Sequence, residues 1–411
     1  MSIIILPIWI IFTFVSEHLF EENTQNLSHQ EQLLSDNWNY TYLSINFELI
    51  KEQVYGDTDE IFLGRIWDVD VDSDGRVYIA DGGNVTIQVF NSDGSYFTSF
   101  VQQGRGPGEF LNVTHHTQIK ILSDKIYVTG TEWMFTDKVQ VFNLRDYSLS
   151  DEIMLNESEK MTFNADLENY SPKNIYPLEN EQMLVSYEHI RSPEYLERDE
   201  NSILYYLHDQ NGSIITGPVL KQKDRTYLYQ VYEGKGYNYY AFPFFGKSII
   251  TTSKDGLVYT AYSDEFNISE QNRNGEILRN IEYPFQNLPL TKRELIRIYE
   301  NIDMSRMDFN EGDDTALQMI READNLPQAW PALNNLLIDD ENRLWVSTVV
   351  GNFDIYKWWV LEQTGEVIAK FEWPRDKPIE VIRNGFMYTQ ETNEETDLQQ
   401  VVRYRIEFEE V

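Results

Sequence analysis

Apolar and polar positions alternate along most of this chain with a period of two, and turn residues interrupt the alternation at short intervals. The stretch IWDVDVDSDGRVYIADGGNVTIQVFNSDGSYFTSF, from Ile66 to Phe100, shows the unit. An alternating run is followed by an Asp-Gly turn, a second run, a loop, a third run, another Asp-Gly turn and a fourth run. That order predicts a four-stranded antiparallel meander.

The same signature, a turn followed by an apolar pair with an aromatic residue or Leu in second place, recurs in DGRVYIA (Tyr78), SDKIYVT (Tyr127), NEQMLVS (Leu184), KDGLVYTA (Tyr259), ENRLWVS (Trp345) and NGFMYTQ (Tyr388). Most copies carry a second hairpin, as in VQVFNLRDYSL and WWVLEQTGEVIAKF, but the sixth ends at VVRYRIEF with no strand after it. Tyr42–Val54, YLSINFELIKEQV, is strand-like and belongs to no other repeat, so it is expected to complete the last one. Six four-stranded repeats of roughly 40 residues predict an all-β fold, a six-bladed β-propeller over residues 40–411. Closing the ring in this way hides the sheet edges that an open array would expose.

Gly75–Phe110, GRVYIADGGNVTIQVFNSDGSYFTSFVQQGRGPGEF, resembles an NHL-type repeat in the order of its turn, its Y-I-A-D strand, its Q-V-F strand and its G-x-G-P-G-E-F link. The second repeat keeps part of this pattern and the later ones diverge. The resemblance implies the six-bladed propeller; it leaves function open, because the same fold hosts binding proteins and enzymes.

Turn chemistry separates the two faces of such a ring. The first-to-second and third-to-fourth strand connections are short D-G, N-G or T-G turns and fall together on one face. The second-to-third connections and the blade links fall on the other, and these are long: TGTEWMFTDK, SYEHIRSPEYLERDENS and TQETNEETDLQQ. The largest insertion, about residues 290–327, joins them between the fourth and fifth blades. Thr291 and Glu294 form a capping-box pair ahead of a short amphipathic helix, and a second helix is expected over Thr315–Ala323 before Asn325 and Pro327. Long loops on one face of a rigid scaffold mark that face for recognition.

Several chemistries compete for the site. Asp70, Asp72, Asp74, Gly75 and Asp81 match a calcium-loop pattern, but the flanking runs alternate as strands where a calcium hand needs helices, so Asp74-Gly75 is expected to be a hairpin turn. His115 and His116 are adjacent, so on a strand only one of them would face the channel. The other four histidines show no zinc-ligand spacing, and the histidine set that the zinc-dependent amidating lyases of the NHL type use is missing. A calcium-centred lactonase-like channel would draw on Asn174, Asn334 and Asn335 with Asp68 and Asp70. The remaining groups placed near the channel mouth are aromatic, amide and basic: Trp67, Arg105, His115, Tyr170, Lys173, Phe245, Lys247, Trp330 and Asn334.

Composition narrows the partners. The formal net charge is −35, from 33 Lys and Arg against 68 Asp and Glu, which opposes nucleic acid and anionic membrane surfaces. Cysteine is absent, which removes disulfides and thiolate chemistry together. Ser2–Val15, SIIILPIWIIFTFV, has the length and apolarity of an export-signal core or an anchor, and polar residues follow it to position 39. These observations favour an exported, monomeric, non-catalytic binding propeller for a protein, peptide or glycan, with no metal or cofactor and with membrane contact only through the amino-terminal segment. The alternative is a metal-dependent hydrolase, lactonase or lyase with its site in the central channel.

Overall fold

The computed structural model describes residues 45–56, 61–131, 136–155, 167–198, 201–232, 236–301 and 314–410. The apolar amino-terminal segment, the residues at 42–44 and the middle of the insertion lie outside these. Ile45–Glu409 forms one compact unit.

Six four-stranded antiparallel sheets build that unit, and their strands are lettered A to D from the channel outward. Blade 1 comprises Ile66–Val71, Val77–Asp81, Thr86–Phe90 and Tyr96–Phe100. Blade 2 comprises Ile119–Leu122, Lys125–Thr131, Thr136–Asn143 and Leu149–Met154. Blade 3 comprises Tyr170–Leu178, Gln182–His189, Ser202–His208 and Ile214–Lys223. Blade 4 runs from Ser248–Thr252 through Val258–Tyr262 and Asn267–Gln271 to Ile277–Glu282, and blade 5 from Leu333–Ile338 through Leu344–Val349 and Ile355–Leu361 to Val367–Pro374. Blade 6 takes Ile379–Arg383, Phe386–Thr392 and Gln399–Glu410 from the carboxyl end, and Ile45–Tyr55 pairs beside Gln399–Glu410 as its D strand. Glu52 on that strand meets Arg405 at 2.6 Å and Arg403 at 3.3 Å, and Phe47 stacks on Phe371 of blade 5 with ring centroids 4.6 Å apart.

One turn is used repeatedly. In the hairpins beginning at Asp72, Asn91, Asp209, Ser253, Asn272, Asp339 and Glu362, the first residue's N–H donates to the carbonyl four positions on, and the fourth residue's N–H donates back to the first. The fourth residue therefore adopts a left-handed backbone, which glycine takes without strain: φ is +79° at Gly75 and +85° at Gly94, while Asn342 fills the same place at +65°. The D-G pairs of the sequence are these left-handed positions.

The aromatic residue in each repeat signature has a physical role where an aspartate closes the turn. Asp72 accepts from the N–H groups of Asp74 and Arg76, both at 2.9 Å, and from the Tyr78 hydroxyl at 3.0 Å. Asp339 repeats this with Glu341, Arg343 and the Trp345 indole N–H at 3.0 Å. Asp72, at the centre of the calcium-loop pattern, thus binds its own turn, while Asp81 accepts from the Gly64 and Gly83 N–H groups. Each blade-to-blade gap is filled by an apolar cluster drawn from both neighbours, for example Tyr78 and Ile87 with Ile119 and Val128, or Ile268 with Leu336 and Val346. Burial between blades drives the ring to close.

Thr291 caps the helix Lys292–Asn301 as expected: its N–H donates to the Glu294 carboxylate at 3.0 Å, and the Glu294 N–H donates to its hydroxyl at 3.2 Å. The second helix is Asp314–Glu322. A bridge between Pro289 and Ala329 closes the base of this excursion. The alternation in LYQVY and GYNYY, not used in the sequence reading, forms an additional hairpin, Leu228–Tyr232 with Gly236–Tyr240, in the link from blade 3 to blade 4.

Two outcomes test this account. A chain starting at Gly56 should lose cooperative unfolding across the whole ring in a thermal melt, because the blade 6 edge is laid open. Trp345→Phe removes the indole donor from a fully buried site and should cost about 1–3 kcal/mol in urea unfolding.

Candidate functional site

The A strands of neighbouring blades line the channel, and each begins at the face that carries the blade links. Residues at these beginnings, in the links and at the ends of B strands therefore share one mouth. Two cavities open there. One, of about 230 Å³, lies between blades 3 and 4 and is walled by Asn174, Tyr176, Glu188, Ser248 and Asn335, among others. The second, of about 180 Å³, reaches toward blade 5 and is walled by Phe242, Phe245, Trp330, Tyr356 and Arg375. Arg225, Lys247 and Asn334 line both, so the cavities adjoin.

The mouth's rigidity comes from its extra elements. Phe242, Phe244 and Phe245, in the link before blade 4, pack with Leu295, Tyr299, Ala316 and Ile320 of the helical insertion and with Trp330. Leu228 and Tyr240 of the added hairpin join this cluster. On the blade 3 side, Arg191 forms an ion pair with Glu188 at 2.6 Å and donates to the Tyr227 hydroxyl at 2.7 Å, while the Tyr237 hydroxyl donates to the Arg191 carbonyl at 2.5 Å. The Tyr195 hydroxyl donates to Asp224 at 2.6 Å.

Electrostatics divide the channel. On the side of blades 1, 2 and 6, Asp68 pairs with Lys120 at 3.6 Å, and burial followed by the negative charge of Asp68 pushes the Glu380 carboxyl up to about 8, with Lys120 opposing. Asp68 and Asp70 also accept the Ile119 and Ile121 N–H groups of the next blade, both at 2.7 Å, satisfying the open edge of that A strand. On the side of blades 3 and 4 the carboxylates Glu188 and Asp224 stand among the cations Lys173, Arg191, Arg225 and Lys247. Burial, with Arg225 adding to it, brings the Lys247 ammonium down to about 8. Burial also brings Lys173 to about 8, opposed by Glu188 and reinforced by Arg191 and Arg225.

Of the residues marked by the sequence, Phe245, Lys247, Trp330 and Asn334 come together on the cavities. Lys173 stands beside them on the blade 3 A strand and donates to the His116 ring at 2.8 Å. Trp67 and His115 form a separate cluster at blades 1 and 2, 5.6 Å apart, with the Arg65 guanidinium 4.1 Å over the indole. Tyr170 packs edge-on to His189 at 5.0 Å, and Arg105 lies exposed in the blade 1 to blade 2 link. His115 and His116 sit in a turn that precedes the strand, so strand alternation does not separate them, and their rings are 3.7 Å apart. Arg225, Arg375 and Tyr356 were not marked. Nothing local distinguishes an arginine in a link from one on the surface.

The asparagines of the calcium-centred alternative, Asn174, Asn334 and Asn335, do line one cavity, but Asp68 and Asp70 are bound to the blade 2 backbone. Among the described residues no group of three or more Asp, Glu or His is gathered for a metal ion.

Burial, then Lys173, His115 and Arg191, push His116 down to about 3, well below its usual range near 6.5. A depressed folded value means that the contribution of neutral His116 is complete above pH 6.5 and is lost as pH falls toward 3. Urea unfolding at pH 7 and pH 4 should therefore show a smaller acid loss of stability in His116→Gln than in the unmodified chain.

Solved structures are similar to this chain over most of its length. A candidate exported protein of Bacteroides fragilis is 14% identical, with 88% of this chain and 95% of that one aligned at a TM-score of 0.49. A DUF4221-family member from Bacteroides vulgatus is 10% identical, with 89% and 99% covered at 0.50. Virginiamycin B lyase from Staphylococcus aureus is 12% identical, with 88% and 99% covered at 0.41. The likeness to the DUF4221-family member speaks to the fold alone. No curated protein matches the sequence. Residues 55–273, more than half of the chain, match the DUF5128 family, described as a 6-bladed beta-propeller, and the chain belongs to that family.

Proposed function

We propose that this protein is an exported, non-catalytic binding propeller that seats a protein, peptide or glycan ligand at the mouth carrying the blade links. The observation that carries this reading is the pair of adjoining cavities sharing Arg225, Lys247 and Asn334, on the face where the insertion and the added hairpin are also built. Most connections on the opposite face are tight five-residue turns. A rigid scaffold that elaborates one face and trims the other presents the elaborated face to a ligand. Export is supported by the apolar segment Ser2–Val15, which has the character of a signal core.

Glycan and peptide arrays probed with the labelled full chain test the reading. Trp330→Ala should weaken the strongest array signal by about 2 kcal/mol, close to thirtyfold, at a temperature where circular dichroism shows the ring still folded, although its melting temperature falls because the side chain is packed in the aromatic cluster. Charge reversal on the trimmed face, at Asp93 or near Asn274, should leave it unaltered. Sensitivity of the trimmed face with indifference of Trp330 would place the ligand on the wrong side for this proposal.

A further inference from the structure

The charge of the second cavity is opposite to that of the chain. In a protein of net charge −35, its walls carry Arg225, Lys247 and Arg375 and no carboxylate. Arg375 is partly satisfied by structure: its Nε donates to the Ile355 carbonyl at 2.9 Å, its guanidinium lies 4.2 Å over the Tyr356 ring, and its Nη2 is buried without a hydrogen-bond partner. The two acids that line the first cavity, Glu188 and Asp224, are held by Arg191 and by the Tyr195 hydroxyl. Burial chiefly, with the neighbouring Arg225 charge adding to it, depresses the Lys247 ammonium. Crowding like charges in one recess is unfavourable for the free protein and is offset when an anion arrives.

The walls also differ in kind. The second cavity is aromatic, with Phe245 and Trp330, while the first offers amides and hydroxyls: Asn174, Ser186, Asn334 and Asn335. Resting on the reading that these cavities are the ligand site, we infer that the ligand is an acidic saccharide of about two sugar units. Its carboxylate sits at the shared Arg225 and Lys247, its acidic ring lies against the aromatic wall, and its neutral ring directs hydroxyls to the amides. Carboxylates favour paired cationic donors, and a sugar's C–H face packs on an aromatic ring. The combined space falls in the range of about 300–1,000 Å³ that small-ligand sites occupy.

Calorimetry on the full chain tests this with four probes: unsulfated chondroitin disaccharide, digalacturonate, lactose as the neutral counterpart and N-acetylphenylalanine as an aromatic carboxylate. At least one acidic disaccharide should bind tenfold or more tightly than lactose and N-acetylphenylalanine, weaken with added salt, and lose about tenfold affinity in Lys247→Gln. Lys247→Arg, which keeps the charge, should restore most of that affinity and guards against a folding defect. Binding of lactose as tight as that of the acids, still lost in Trp330→Ala, would overturn the acidic inference and leave the cavities as the site. Preference for N-acetylphenylalanine would overturn the saccharide. Failure of every probe to bind in a manner that depends on Lys247 or Trp330 would overturn the inference, and array signals insensitive to the same substitutions would overturn the site as well.

Discussion

The ring of six sheets is held closed by a blade that joins strands from distant parts of the chain. Here Ile45–Tyr55 supplies the outer strand of a sheet whose other three strands come from the carboxyl end. Glu52 lies between Arg403 and Arg405 at that seam, and Phe47 reaches across to blade 5. Because every apolar cluster of the ring is shared by two blades, no blade keeps its core if a neighbour leaves. Closure therefore holds the A strands in position, and the A strands hold the channel.

That rigidity permits an unfavourable charge arrangement at the mouth. Lys173 stands on the blade 3 A strand and Lys247 immediately before that of blade 4, with Arg225 between them in the chain, and nothing in their own packing requires three cations in one place. The blades set their spacing, while the aromatic cluster under the helical insertion fixes the outer wall. The opposite side of the channel shows the usual compensation, with Lys120 near Asp68 and Glu380. Positive charge left together on one side of a strongly acidic molecule gives a local field that differs in sign from its surroundings, which is what selects an anion from solution.

Several residues that a motif search would assign to chemistry serve the fold instead. Asp72 and Asp339 close turns and anchor an aromatic side chain of the next strand, and Asp68 and Asp70 replace a missing strand at the edge of blade 2. Their buried oxygens are satisfied by N–H and O–H donors, as buried polar groups must be.

The sequence by itself determined the number of blades, the strand pattern within them, the strand that closes the ring, the capped insertion and which face is elaborated. All of these follow from short-range signals: period-two alternation, turn residues and a capping box leave their mark within a few positions. The candidate site was legible only in part, through Phe245, Lys247, Trp330 and Asn334, which announce themselves as polar or aromatic residues next to predicted A strands. Arg225, Arg375 and Tyr356 carry no such local mark. His116, rather than His115, meets Lys173 because a turn, not a strand, sets the direction of both rings. Only the tertiary structure decided that links from blades 3, 4 and 5 converge on common cavities while Trp67 and His115 stand apart, because convergence depends on the angular position of each blade around the ring, a long-range property set by packing between sheets.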